Sequence, residues 1–305
     1  MISVYYIGAF ITALAYLAYA FYIKSRLGLD MTPDGGYYLQ LGRGEAVPVP
    51  YCLRPIVPMI CRENMAMWEW SSRLCFALSG WALFMLCEQY CLTITQSFAV
   101  CTAFMVTRGF GLYSSRLPVL TDAHGMSLAL IAALLIMTGH TAAGISIAFI
   151  GALVNEKVPI YAALYSWSLW PLVGLLLVAM ALLIFEQDED DQGIDWLDRP
   201  FETSVNFLKW KWASKEQLAY FVAPFGIGLL ALFTKSWQVW ACFIASLLPL
   251  VRSMDYARVI MWALPVLLIY TVAFTPSVLL PLVPLTQLFI TSLEPDAHHY
   301  NTTEG

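Results

Sequence analysis

Asp30 and Asp34 share one polar stretch near the start of the chain, "LDMTPDGGYYLQLGRGEAVPVPYCLRPIVPMICR", with Arg43, Arg54 and Arg62. A carboxylate takes a proton from a hydroxyl, and guanidinium groups suit phosphate and steady it as it departs. Tyr37 and Tyr38, between the aspartates and the arginines, add rings capable of stacking. Together these residue types are what transfer from a phosphate-linked donor requires.

Three later stretches carry further ionisable groups. "TRGFGLYSSRLPVLTDAHG" supplies Arg108, Arg116, Asp122 and His124. "ALVNEKVPIY" sets Glu156 and Lys157 between two apolar runs, and "LVRSMDYARVIMWALP" adds Arg252, Asp255 and Arg258. Each has a structural alternative. Glu156 and Lys157 suit a tight turn with both heads snorkelling, Arg252 and Arg258 suit positive-inside anchors, and Asp122 suits a helix start. His140 and the tail histidines lack partners at metal-ligand spacing. No serine sits in an elbow-like context for a Ser-His-Asp arrangement.

The elements that must position these groups are membrane helices. The 305-residue chain is 60% hydrophobic and 12% charged, half the charge of an ordinary soluble domain. Such a surface implies an all-α, polytopic transmembrane bundle. A ruler of about 20 apolar residues gives nine or ten spans, near 3–23, 70–88, 91–107, 119–138, 142–154, 158–185, 216–234, 237–251, 257–274 and 277–292. The fifth is short and the last is interrupted by proline, which marks both as candidates for broken or re-entrant segments. The first run lacks a basic flank and a small-residue cleavage site, so it reads as a retained span rather than a signal peptide. On this reading residues 1–292 form one transmembrane domain and 293–305 a frayed tail, where Asn301-Thr302-Thr303 matches a glycosylation acceptor.

Two polar connections interrupt the spans. Residues 24–69 are far longer than the 2–8 residues that join helices in bundles, which marks them as a functional first loop. Residues 186–216 begin as an acidic run and continue with Phe207, Lys209, Trp210, Lys211 and Trp212, a pattern suited to the headgroup layer. The acidic run is not an EF-hand, because Arg199 occupies the closing Glu position. The net charge of −5 comes largely from it and does not suggest nucleic-acid binding. Of the seven cysteines, Cys75, Cys87, Cys91, Cys101 and Cys242 fall in apolar runs as plain buried thiols. Cys52 and Cys61 lie together in the first loop, where an oxidising compartment would allow them to pair.

In four stretches the sequence resembles the GT-C superfamily of polytopic membrane glycosyltransferases. "PDGGYYLQLGRG" followed by "PYCLRPIVP" resembles the D-x-x-Y-Y … P-x-R-P-L-x-P run of bacterial members. "SSRLPVLTDAHGMSLALIAALL" resembles their entry to a middle helix, "GALVNEKVPIYAAL" their K/R-E-x-x-L segment, and "MDYARVIMWALP" their D-x-x-R … P helix start. The order matches along residues 1 to about 275. The paired acidic residues familiar after the first helix are replaced by Asp30 and Asp34, spaced four apart, which leaves a divalent cation (Mg or Mn) an open requirement.

The resemblance implies inverting transfer from a polyprenyl-phosphate-linked sugar to a glycan, lipid or protein acceptor, at the outer face of a bacterial inner membrane. Asp34 would be the base, with Asp30 the second choice. Arg43, Arg54, Arg108 and Arg116 would meet the donor phosphate, and Tyr37 and Tyr38 would stack on or position the sugar. Asp122, Glu156, Lys157 and Arg258 would line the cavity. One physical argument opposes that orientation: more than half of the sixteen lysines and arginines would then face outward, against the positive-inside rule. Retention of the arginines for phosphate chemistry reconciles the two. Two other classes fit the same residues, a lipid-phosphate transporter and a non-catalytic membrane scaffold. No inverted repeat of the transporter kind is visible, and a scaffold leaves the length of the first loop unexplained.

Overall fold

The computed structural model describes residues 3–47, 51–184, 223–250, 258 and 260–292. The acidic connector, Arg252, Asp255 and the C-terminal tail lie outside the described residues. Every regular element among the described residues is helical.

Two helices are long and apolar enough to cross a membrane: α1 (Val4–Leu27) and α4 (Met65–Gln89). Ser3 caps α1 by accepting from Tyr5 N–H, and Asn64 caps α4 by accepting from Met67 N–H. Between them the first loop is not an open connector. It forms α2 (Pro33–Gly42), a 3₁₀ turn (Tyr51–Leu53) and α3 (Ile56–Cys61). Thr32 caps α2 through Gly35 N–H. Tyr38, Val57, Cys61 and Trp68 pack with Leu117, Val119, Leu120 and Val154 and hold this layer on one end of the bundle. Cys52 and Cys61 are both buried free thiols.

The chain continues through α5 (Ile94–Met105), opened by a Thr93–Gln96 capping box, a π-helical turn (Arg108–Leu112) and α6 (Tyr113–Arg116). Cys91 departs from the sequence expectation of a helical, buried thiol. It is exposed, at φ 59° in the turn before α5. Next come α7 (Asp122–Met137), α8 (Thr141–Gly151) and α9 (Val158–Ser166). Helix α4 lies between α1 and α7, and α7 packs in turn on α8 and α9. Most of α7 is buried, as expected of a helix that is apolar all round.

The expected single span at 158–185 is instead broken. Trp167 adopts a left-handed conformation (φ 52°, ψ 42°) after α9. The 3₁₀ turn Trp170–Gly174 then folds back, with Gly174 so near α9 that a Cβ would lie 2.8 Å from Pro159. Helix α10 (Leu175–Ile184) follows, and Val178 packs with Leu153 against Val47, Cys52 and Leu53 of the first loop. The far end of this segment therefore returns to the first-loop side. Average hydropathy over 158–185 hides such a reversal, although Ser166, Ser168, Pro171 and Gly174 mark it locally.

The last described elements are a 3₁₀ segment (Ala223–Thr234) kinked at Gly226, α11 (Trp237–Leu250), α12 (Leu264–Ala273), a short 3₁₀ turn (Ser277–Leu279) and α13 (Leu282–Ser292). The break between the last two matches the expected proline interruption. Across the kink, Gln287 of α13 accepts from Ile227 N–H at 2.9 Å, satisfying a backbone donor that the helix ladder leaves free.

Candidate functional site

The polar residues of the first loop meet those of three later segments at one end of the bundle. Gly125, in the first turn of α7, permits the approach. A Cβ there would lie 2.8 Å from Asn155 and 2.9 Å from Trp262, so only glycine lets α7, the 152–157 turn and the segment before α12 come together.

Arg258 is the hub. It donates from Nη1 to Asp34 Oδ2 at 2.6 Å and from Nε to Asp122 Oδ2 at 2.9 Å, with Nη2 at 2.8 Å from the same Asp122 oxygen. Its partners stand 224 and 136 residues away in sequence. Tyr51 donates to the other Asp34 oxygen at 2.7 Å, and Asn155 donates to Asp122 Oδ1 at 3.4 Å. Burial would lift the Asp34 carboxyl, but the Arg258 guanidinium and the two hydrogen bonds outweigh it and hold the group below the usual carboxylate range. Tyr51, raised by burial and then by the Asp34 charge, stays protonated as the donor.

A second pair stands beside the hub. Arg54 forks onto Glu156 at 2.7 and 2.6 Å and donates to the Tyr38 hydroxyl at 2.5 Å. Such bidentate pairing fixes orientation as well as charge. Burial would raise the Glu156 carboxyl, yet Arg54 holds it low. Lys157 follows directly. Its Nζ lies 5.7 Å from the centre of the Trp262 ring, and no carboxylate among the described residues comes within ion-pairing distance of it. Burial lowers its ammonium below the ordinary lysine value.

The expected residues thus divide. Asp34, Arg54, Tyr38, Asp122, Glu156, Lys157 and Arg258 converge. Asp122 serves α7 as more than a helix start, because its carboxylate turns onto Arg258. Tyr37 is placed at one remove, stacked on Tyr51 at 4.7 Å between ring centres. Tyr38 is not available for stacking on a sugar. It is fully buried and orients Arg54 instead, because consecutive helix positions point about 100° apart. Asp30 pairs with Arg116 at 3.0 Å, away from Asp34. Arg43 is not brought to Asp34 either; it binds Glu45 at 3.0 Å and Glu63 at 3.4 Å on the outer side of the loop. Arg108 opens the π-helical turn, whose Gly109 lines a small cavity of about 10 Å³ with Asp122 and Arg258. Tyr51, Asn155 and Thr121, which lies 3.3 Å from the Tyr38 hydroxyl, escaped the sequence reading. The adjacency of Asn155 to Glu156 was the one available signal.

Among the described residues the cluster is made of ion pairs. Of the three carboxylates that converge, Asp34 and Asp122 share the Arg258 guanidinium and Glu156 pairs with Arg54, and no group of three His, Cys, Asp or Glu side chains gathers as a ligand set among the described residues.

Compared with known proteins, the chain matches no protein-family model, and no curated protein or solved structure is significantly similar to it.

Proposed function

We propose that the chain is a polytopic membrane glycosyltransferase that moves a sugar from a polyprenyl-phosphate-linked donor to an acceptor hydroxyl, with Asp34 as general base. One observation carries this reading: charged groups from four separate segments converge at one end of an apolar bundle. Ionisable groups in such a setting are expensive and mark working sites. Exposed apolar side chains along α1, among them Ile7, Phe10, Ile11 and Leu14, support the membrane setting, since soluble monomers rarely expose large contiguous apolar faces.

Asp34, held ionised, accepts hydrogen bonds and carries no proton to donate. It takes the proton of the acceptor hydroxyl as that oxygen bonds to the anomeric carbon. The bond from that carbon to the phosphate oxygen breaks on the opposite side, which inverts the centre, and polyprenyl phosphate leaves with the electron pair. Arg258 holds Asp34 on the acceptor side, and Lys157 is the cation proposed for the departing phosphate. The outer face of a bacterial inner membrane, where lipid-linked sugars and glycan, lipid or protein acceptors meet, suits this chemistry.

One feature favours a non-catalytic membrane subunit: each carboxylate in the cluster already has a cation, as a structural clamp requires. Asp34→Asn separates the two, because the amide keeps a hydrogen bond to Arg258 but cannot act as a base. In the purified, folded protein, transfer from a polyprenyl-phosphate sugar is expected to fall by about 10²–10⁴-fold. Full transfer by the variant would remove Asp34 as base. Absence of transfer by the unmodified protein across a panel of polyprenyl-phosphate sugars would favour the subunit.

A further inference from the structure

A second charged cluster sits on the edge formed by α1 and α4, where the proposed mechanism has no use for it. Glu69 Oε1 is shared by two cations, Lys24 and Arg73. One carboxylate cannot neutralise both, so the cluster keeps a net positive charge. Arg73 is buried, with 3% of its side chain exposed, and its guanidinium lies 4.4 Å from the centre of the Phe21 ring. Its Nε finds no hydrogen-bond acceptor among the described residues. Lys24 reaches the surface, with 42% of its side chain exposed.

The surroundings are apolar and outward-facing. Trp70, 58% exposed, packs edge-on against Phe21 at 5.7 Å, and Leu74 and Tyr22 are also exposed. Trp68, one position before Glu69, turns inward to Tyr38 and His124. Trp70, about 200° further round the helix, therefore faces away from the Asp34 cluster. The cations fall at the last turn of α1 and the first turns of α4, where a spanning helix meets the headgroup layer. Tryptophan and basic side chains collect at that depth.

We propose that Lys24 binds the phosphate of an anionic membrane phospholipid, with Arg73 adding its charge from the buried side and Trp70 and Phe21 bordering the acyl chains. This rests on the membrane setting proposed above. A lipid phosphate on Lys24 brings the negative charge that Glu69 alone does not supply. The sugar donor carries the same chemistry on a polyprenyl chain, but its phosphate must reach Asp34, and this edge faces elsewhere.

The test places the full chain in nanodiscs of phosphatidylcholine doped with phosphatidylglycerol, then reads the lipids retained after mild extraction by native mass spectrometry. Phosphatidylglycerol is expected to be retained over phosphatidylcholine. Lys24→Gln should lower that preference about fivefold, the effect of one basic side chain at an anionic surface. Lys24→Arg should keep it, with the circular dichroism and melting temperature of both variants unchanged. Equal retention of the two lipids, or a preference untouched by Lys24→Gln, overturns the site. Displacement of phosphatidylglycerol by an equimolar polyprenyl phosphate overturns the phospholipid assignment. Failure to enter nanodiscs overturns the membrane setting and this proposal together, whereas entry without lipid preference overturns only the latter.

Discussion

The interior holds two polar networks, and they are built from different chemistry. Around Arg258 the members are ions: Asp34, Asp122, Arg54, Glu156 and Lys157. Toward the far end of α4 the members are neutral. Tyr90 donates to the Tyr165 carbonyl at 2.6 Å, Gln238 donates to the Leu164 carbonyl at 2.7 Å, and Tyr270 donates to Gln238 at 3.0 Å. Gln238 also bonds the Tyr90 hydroxyl, and Tyr165 donates to the Trp262 carbonyl. The neutral network joins α4, α9, α11 and α12 through matched donors and acceptors, the way polar side chains link helices in lipid. The ionic one joins elements just as distant, but at a desolvation penalty that neutral groups would avoid. Holding helices together explains the neutral network. It does not explain why the other uses charges.

Removal of the hub is the strongest way to break that contrast. Arg258→Gln leaves Asp34 and Asp122 facing each other without a cation. A stranded buried charge costs about 3–5 kcal/mol, and the lower end is expected because 29% of the Asp34 side chain remains exposed. Chemical denaturation of the variant beside the unmodified protein measures this, and transfer activity should fall with it. A loss below about 1 kcal/mol would make the ionic network no more demanding than the neutral one.

Acid separates the two networks next. The Asp34 and Glu156 carboxyls lie below their ordinary values in the folded protein. Their contribution to stability is therefore complete above the unfolded values, about pH 4. It is lost as pH falls further, through the lower folded values. Melting temperatures measured from pH 6 to pH 3 should drop, and the drop should be shallower in an Asp34→Asn, Glu156→Gln double variant. The neutral network offers no carboxyl to titrate in that window, so a slope unchanged in the double variant would place the acid sensitivity elsewhere.

How far the ionic site was legible in the sequence depended on the kind of partner. Charges in apolar surroundings stand out by residue type alone, so Asp34, Arg54, Asp122, Glu156, Lys157 and Arg258 could be singled out without a structure. Their pairing could not. Arg43 lies nearer to Asp34 in sequence than Arg258 does, yet α2 points the two apart while the bundle brings Arg258 across. The reversal at Trp167 had a local signal, since Ser166, Ser168, Pro171 and Gly174 interrupt the apolar run there, but the length of the run outweighed it. Lys24, Glu69 and Arg73 sat at the margins of expected spans, where charges are ordinary, and only the sharing of one carboxylate by two cations sets them apart. The neutral network was silent in sequence, because tyrosine and glutamine in a helix carry no sign of whether they bond one another.

That silence yields the smallest effect and the cleanest contrast. Gln238→Leu deletes the amide that ties Tyr90, Tyr270 and the Leu164 carbonyl together, but it strands no charge and nearly keeps the volume. Hydrogen bonds between helices in a membrane are worth about 0.6 kcal/mol on average, because the freed groups find other partners. The variant should therefore lose no more than about 1 kcal/mol in the same denaturation experiment and keep its transfer activity. A loss as large as that of Arg258→Gln would mean that charge is not what distinguishes the two networks. The convergence of ions at Arg258 would then be a matter of packing rather than of chemistry.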